Sequence, residues 1–217
     1  MIFATVIAEF FSIGKKIKYA KGNTILNAGE TPEGVYYISK GYVKAYNLTK
    51  EGNEHLFLIY KPGEIFPARW AWLQSENSSF YKSITPVELY RISRKEFVRF
   101  VNSTPKASLE FLDMVMSMFS IYISRVDNLE FNNARLRLID RLYVLGKRIG
   151  IKTETGKVKL PIVSTHSDIA SSINLTRETV SRECQILENE GFIHYEKRHI
   201  IHIDVDKLDQ ELYAHYE

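Results

Sequence analysis

Arg177, Glu178, Ser181 and Arg182 fall at spacings that gather them on one side of a helix, with Gln185 a turn further on. Arginine carries a planar fork of donors that can grip two acceptors on a guanine edge, and glutamate can accept from a cytosine amine. The opposite side of the same helix is marked by Val180, Cys184 and Leu187, which can pack inward. Thr176 is a natural N-cap for it. Ahead of it, Thr165 followed by Asp168 forms a capping-box variant that starts a shorter helix, whose inner face is Ile169, Ala170 and Ile173. Asn174-Leu175-Thr176 connects the two tightly. Such a pair predicts a helix-turn-helix whose second helix enters a DNA groove. An ordinary helical hairpin with a solvated polar face carries the same pattern, so the neighbouring elements must decide.

Those neighbours are legible on both sides. Gly191 ends the second helix, and residues 192–195 and 200–203 flank Glu196-Lys197-Arg198-His199 as a β-hairpin wing. His194, His199 and His202 read as strand and turn positions, since no acidic or cysteine partner is fixed beside them to complete a metal set. Upstream, residues 157–161 predict a short strand. Leu136, Ile139, Leu142 and Leu145 mark the inner face of an amphipathic helix, and Asn132-Asn133 a hinge before it. Pro105 opens the longest periodic stretch, in which Leu109, Leu112, Met116, Phe119, Ile123 and Val126 recur as a heptad seam. Phe111, Val115, Met118, Tyr122 and Leu129 run beside it as a second line. One helix with two apolar stripes has two partners to bury against: its own domain and a second copy of itself. Residues 93–101 predict a short helix. Before that, from about residue 11 to 100, strands broken by glycine turns roughly every 8 to 12 residues predict an all-β sandwich or barrel.

Bulk properties narrow the classes. The chain has 217 residues, 45% hydrophobic and 25% charged, which suits a globular protein of one large or two small domains. No apolar run approaches the roughly 18 residues expected of a membrane span. The apolar start MIFATVIAEFF lacks the flanks of a signal peptide and is expected to dock on the fold. The single cysteine, Cys184, excludes an intramolecular disulfide framework and agrees with a cytoplasmic home. Residues 131–203 carry 12 Lys/Arg against 8 Asp/Glu, whereas residues 204–217 carry five acids and one lysine. The basic excess therefore surrounds the helix-turn-helix, as phosphate contacts would need.

The stretches GNTILNAGETPEGVYYISKGYVKAY and EGNEHLFLIYKPGEIF, with glycines at 22, 29, 41, 52 and 63, resemble the cyclic-nucleotide-binding jelly roll of the CRP/FNR transcription factors. Arg-Glu-Thr-Val-Ser-Arg at 177–182 resembles that family's recognition-helix pattern. The likeness runs from about residue 10 to residue 205. It implies an α+β chain: an N-terminal double-stranded β-helix (jelly roll, 1–105), a long dimerisation helix and hinge (106–131), and a C-terminal winged helix-turn-helix (132–217). It implies base reading by Arg177, Glu178, Ser181 and Arg182. Phosphate contacts would then come from Thr165, His166, Thr176, Thr179, Lys197 and Arg198. The implied partners are double-stranded DNA, a second copy of the chain and RNA polymerase, with no membrane and no enzymatic activity.

The ligand end departs from the pattern. Phe66-Pro67-Ala68-Arg69-Trp70 stands where the family has its Gly-Glu-Leu phosphate cassette, and the arginine position falls at Asn77, with Ser78 following. A cyclic phosphate needs such a cation. Arg69, Trp70 and Lys82 are the nearest candidates for a pocket, without matching residue for residue. The expected effector is therefore unidentified and not cyclic AMP, or the roll is only a dimer scaffold. One cysteine cannot ligate an iron–sulfur cluster, and His55 alone makes a poor case for haem. A cupin-like jelly-roll enzyme would need a clustered metal set that the β region lacks.

Overall fold

The computed structural model describes residues 5–50, 52–154, 156–162, 164–196 and 199–216. It is an α+β chain of two compact units. One runs to Phe119 apart from Glu54–Leu56, and the other comprises Glu54–Leu56 with the chain from Ser120 onward. The division falls inside a helix, because the long helix is shared by both.

The first unit runs α1 (Val6–Ser12), β1 (Lys15–Tyr19), β2 (Thr24–Leu26), β3 (Val35–Lys40), β4 (Val43–Leu48), β5 (Glu54–Tyr60), β6 (Ile65–Phe66), α2 (Ala68–Leu73), β7 (Phe80–Ser83), β8 (Val87–Ile92), α3 (Arg94–Ser103) and the start of α4 (Pro105–Phe131). Its strands form two sheets ordered β1-β8-β3-β6 and β2-β7-β4-β5. All five glycines of the expected turns have positive φ. Gly41 is doubly constrained, since a Cβ there would also run into the Pro86 carbonyl.

Alternation along the strands separates two cores. Val35, Tyr37, Ile65 and Ile92 face outward onto α1, α2 and α3, where Ile7, Phe11, Ala71, Phe97 and Val101 are buried. Tyr36 and Phe66, their strand neighbours, face the other way. The apolar N-terminal segment is docked as α1, whose first amides at Val6 and Ile7 donate to the Glu110 carboxylate at 3.2 and 3.1 Å. Capping by Ser93 and Glu96 starts α3 at the expected place. On β4 the alternation is imperfect: Tyr46 is buried like its neighbour Ala45, and Phe80 stacks on it at 5.3 Å.

Helix α4 carries the expected seam on its surface. Leu109, Leu112, Met116, Phe119, Ile123 and Val126 are 46% to 63% exposed. The second stripe divides: Phe111 and Met118 are buried, whereas Val115 and Tyr122 join the exposed face. By length and composition alone the helix over Pro105–Glu130 could cross a bilayer, its most apolar 18-residue window having a mean hydropathy of 1.2. This corrects the expectation that no segment qualifies. Four serines (Ser108, Ser117, Ser120 and Ser124) interrupt its apolar stripes without adding charge, and four of its six charged residues lie near its ends.

The second unit adds α5 (Ala134–Ile149), β9 (Ile151–Lys152), β10 (Val158–Lys159), α6 (His166–Ser172), α7 (Arg177–Asn189), β11 (Ile193–Glu196), β12 (His199–Ile203) and α8 (Val205–Tyr216). The four strands form one antiparallel sheet, β11-β12-β10-β9. Leu136, Ile139, Leu142 and Leu145 of α5 are buried as the periodicity predicts. Gly146 lets α8 approach, because a Cβ there would meet Val205 at 2.6 Å.

Candidate nucleic-acid interface

Helices α6 and α7 meet through a turn in which Asn174 takes φ 56°, a left-handed geometry that asparagine tolerates. Thr165 caps α6 and Asp168 closes the reciprocal box. Thr176 caps α7 by accepting from the Thr179 amide at 3.1 Å. Burial of Ile169, Ala170, Val180, Cys184 and Leu187 then fixes the pair. Arg177, Glu178, Ser181, Arg182 and Gln185 are all exposed on the opposite face of α7. The Arg182 side chain is 72% exposed, and its contact with Glu183 is long at 3.6 Å. Such a surface pair holds little energy and yields easily to a competing acceptor.

The expected phosphate-contact residues divide in a way the sequence does not foretell. The Thr165 hydroxyl lies 2.6 Å from the Asp168 carboxylate, to which it donates its only proton. Thr176 and Thr179 share a hydroxyl contact at 3.0 Å, so one of the two donors is used internally. His166 lies 2.7 Å from the Tyr195 hydroxyl. Lys197 and Arg198, expected at the wing tip, lie outside the described residues. Thr165, His166, Arg177, Ser181, Glu188 and Tyr195 line an open groove of about 730 Å³ between the start of α6, α7 and β11. Sequence reasoning missed Tyr195, which stands 29 residues from His166 and belongs to no local motif.

The stretch expected as a hinge is a partly buried polar cluster. Arg137 donates from Nε to the Asn132 carbonyl at 2.8 Å and from Nη2 to the Leu129 carbonyl at 2.7 Å, closing the end of α4. Asn133 caps α5 by accepting from the Leu136 amide. Asn128 donates to the Asp140 carboxylate at 2.8 Å. Burial pushes the Asp140 carboxyl up to about 6, against the opposing pull of Arg141, Ser124 and Asn128. Its folded pKa exceeds the unfolded value of about 3.9, so the fold favours the protonated form. That contribution is complete below about pH 4 and is lost as pH rises through about 6. Asp140→Asn preserves an acceptor for Asn128. It is expected to raise stability at neutral pH by about 1 kcal/mol and to change little near pH 4, as read by urea unfolding at both.

Inside the β-roll, rings from both sheets stack. Tyr36 on β3 lies against Phe66 on β6 at 5.3 Å, and Phe66 against Tyr81 on β7 at 4.9 Å. Tyr60 tilts against both Phe66 and Tyr81. Asn77, at the arginine position, is buried and donates to the Asn27 carbonyl at 2.9 Å. Arg69 is exposed and donates to the Ser78 hydroxyl at 2.9 Å, so it does sit beside that position. Trp70 instead packs with the outer helical core. Lys82 follows Tyr81 on β7 and so points to the outer face of the sheet. Of the three pocket candidates only Arg69 stays near the expected site, on its surface.

Comparison with known proteins agrees with this architecture. Residues 16–104 match the model of the cyclic nucleotide-binding domain, and residues 136–211 that of the Crp-like helix-turn-helix domain. The cAMP-activated global transcriptional regulator CRP of Haemophilus influenzae is 25% identical over 185 residues, covering 85% of this chain and 82% of the relative. The CRP-like cAMP-activated global transcriptional regulator of Mycobacterium tuberculosis is 23% identical over 192 residues, covering 88% and 85%. Among solved structures, a CRP/FNR-family transcriptional regulator of Thermus thermophilus superposes with a TM-score of 0.74 at 21% identity, covering 92% of this chain and 98% of the other. FixK2 of Bradyrhizobium japonicum gives 0.74 at 21%, covering 91% and 96%.

Proposed function

The chain belongs to the CRP/FNR superfamily of transcription regulators, and on that premise we propose that it acts as a homodimer on a palindromic promoter site. In this reading residues 1–105 form a sensor-type roll, 106–131 the dimer helix and hinge, and 132–217 the DNA-binding domain. Two copies of α4 pair along the exposed seam and present their α7 helices to successive major grooves, about 34 Å apart. Arg177, Glu178, Ser181 and Arg182 read base edges. His166, Thr176, Thr179, Lys197 and Arg198 hold phosphates, and Thr165 acts through its cap. The carrying observation is α7 itself: its reading residues are all exposed while Val180, Cys184 and Leu187 on its other face are fully buried. RNA polymerase in the cytoplasm is the expected downstream partner.

The test is binding of the full chain to a TGTGA- or TTGAT-like palindrome, against a scrambled duplex, across a salt series. Preference for the palindrome that persists in moderate salt supports site-specific reading. Equal, steeply salt-dependent binding to both would leave only phosphate attraction and overturn it.

A second reading is favoured by the ring stack. The residues of the roll do not suit a cyclic nucleotide: the position expected to neutralise its phosphate is Asn77, already bonded to Asn27. Phe66 and Tyr81 meet across the two sheets. A roll filled by its own side chains serves as a scaffold, and the dimer then binds DNA without an effector. Calorimetry with a panel of cyclic nucleotides separates the readings, no heat being expected under this one.

A further inference from the structure

We propose that Tyr195 is a positioning residue of the DNA-binding surface, whose hydroxyl fixes the His166 imidazole as an Nδ1–H donor to a backbone phosphate. The proposal rests on the DNA-binding reading above and adds to it a residue outside both helices of the helix-turn-helix. Tyr195 Oη lies 2.7 Å from His166 Nε2, with the rings edge-on at 85° and their centroids 5.8 Å apart. Its hydroxyl also faces Cys184, which is fully buried on α7. Its main-chain amide lies 3.4 Å from the Glu188 carboxylate. One side chain on β11 thereby ties the start of α6 to the body of α7.

The direction of the hydrogen bonds follows from acceptor strength. Sulfur is a weak acceptor and an imidazole nitrogen a good one, so the phenol proton goes to His166 Nε2. With Nε2 accepting, the neutral ring keeps its own proton on Nδ1, which leaves one donor. The charged and titratable groups around it agree. Burial and then Arg177 hold the His166 pKa below its ordinary value. Burial pushes the Cys184 thiol up to about 11 and raises the Tyr195 phenol as well. Asp168 is engaged by Thr165 and its amide, and Glu188 by the Tyr195 amide. All three members of the chain are therefore neutral at pH 7. Because Thr165 spends its hydroxyl proton on Asp168, His166 and Ser167 are the side-chain donors left at the start of α6 in the groove.

Nitrogen-15 NMR of the full-length protein with labelled histidine is expected to show the Nδ1–H tautomer at His166, and a shift toward the Nε2–H form in Tyr195→Phe. Fluorescence anisotropy should find both Tyr195→Phe and His166→Ala weaker by about fivefold on palindromic and scrambled duplexes alike. The double variant should be no weaker than His166→Ala. An Nε2–H tautomer in the parent, additive losses, or parent-like binding by His166→Ala would each overturn the proposal. The last result does not depend on Tyr195→Phe folding. If the parent binds no duplex at all, the DNA-binding reading itself fails. The tautomer would then still decide whether Tyr195 holds the ring.

Discussion

Arg182→Ala is expected to lower affinity for the palindrome by at least about 30-fold while leaving affinity for a scrambled duplex within about twofold of the parent. A bidentate arginine–guanine contact discriminates by about 1–3 kcal/mol, and a symmetric dimer makes it twice. Little inside the protein offsets that loss. The Arg182 side chain is 72% exposed and touches Glu183 only at 3.6 Å, so truncation leaves the packing of α7 intact. The thermal midpoint should therefore stay where it was. Since the lost contact is to bases, the slope of log affinity against log salt should also be preserved. Anisotropy titrations at three salt concentrations measure all of this. Parent-like affinity for the palindrome would remove Arg182 from the reading surface, and an equal loss on both duplexes would make it a phosphate contact.

The second large effect concerns α4. Under the proposed pairing of α4, Leu112→Asp combined with Phe119→Asp is expected to leave the chain monomeric at micromolar concentration and to abolish palindrome binding. Both side chains are just over half exposed on a face that also carries Leu109, Met116, Ile123 and Val126. An apolar stripe this long is rarely left in water by a monomer. Burying one Leu or Phe side chain yields about 1.5–3 kcal/mol, and twofold symmetry counts each position twice. Removing both therefore costs the dimer on the order of 6 kcal/mol before the burial of four carboxylates is added. The other side of the helix keeps Ala107, Phe111 and Met118 buried, so helicity by circular dichroism should be unchanged. Sedimentation velocity reads the oligomeric state. A variant that still sediments as a dimer would place the interface elsewhere.

Local rules carried the sequence reading far because the decisive features here are local. Capping residues at Thr165 and Thr176 locate two helix starts. The inward stripes of α5 and α7 follow from spacing alone, and the five glycine turns from the need for positive φ. What escaped was either disguised or distant. The acidic C-terminal stretch reads as a charged tail, yet Val205 and Leu208 are buried and build α8 onto α5, a spacing that was available to be read. Trp70 and Lys82 stand near the cassette and the arginine position in sequence, whereas the short turn of α2 and the pleat of β7 decide which way they face. At the candidate interface the exposure of Arg177, Glu178, Ser181 and Arg182 on one side of α7 was legible. The engagement of the Thr165 hydroxyl and the Tyr195–His166 contact were not, because they depend on how α6, α7 and β11 converge.

The burial of Cys184 has a consequence in kinetics. It is the sole thiol in the chain and lies fully buried on the inner face of α7, held protonated by burial with its pKa at about 11. Alkylating reagents attack thiolates, so the docked helix shields this sulfur both sterically and electronically. Modification then has to wait for α7 to lift. The alkylation rate, compared with that of an unfolded control, becomes a clock for the opening of the reading helix on its own.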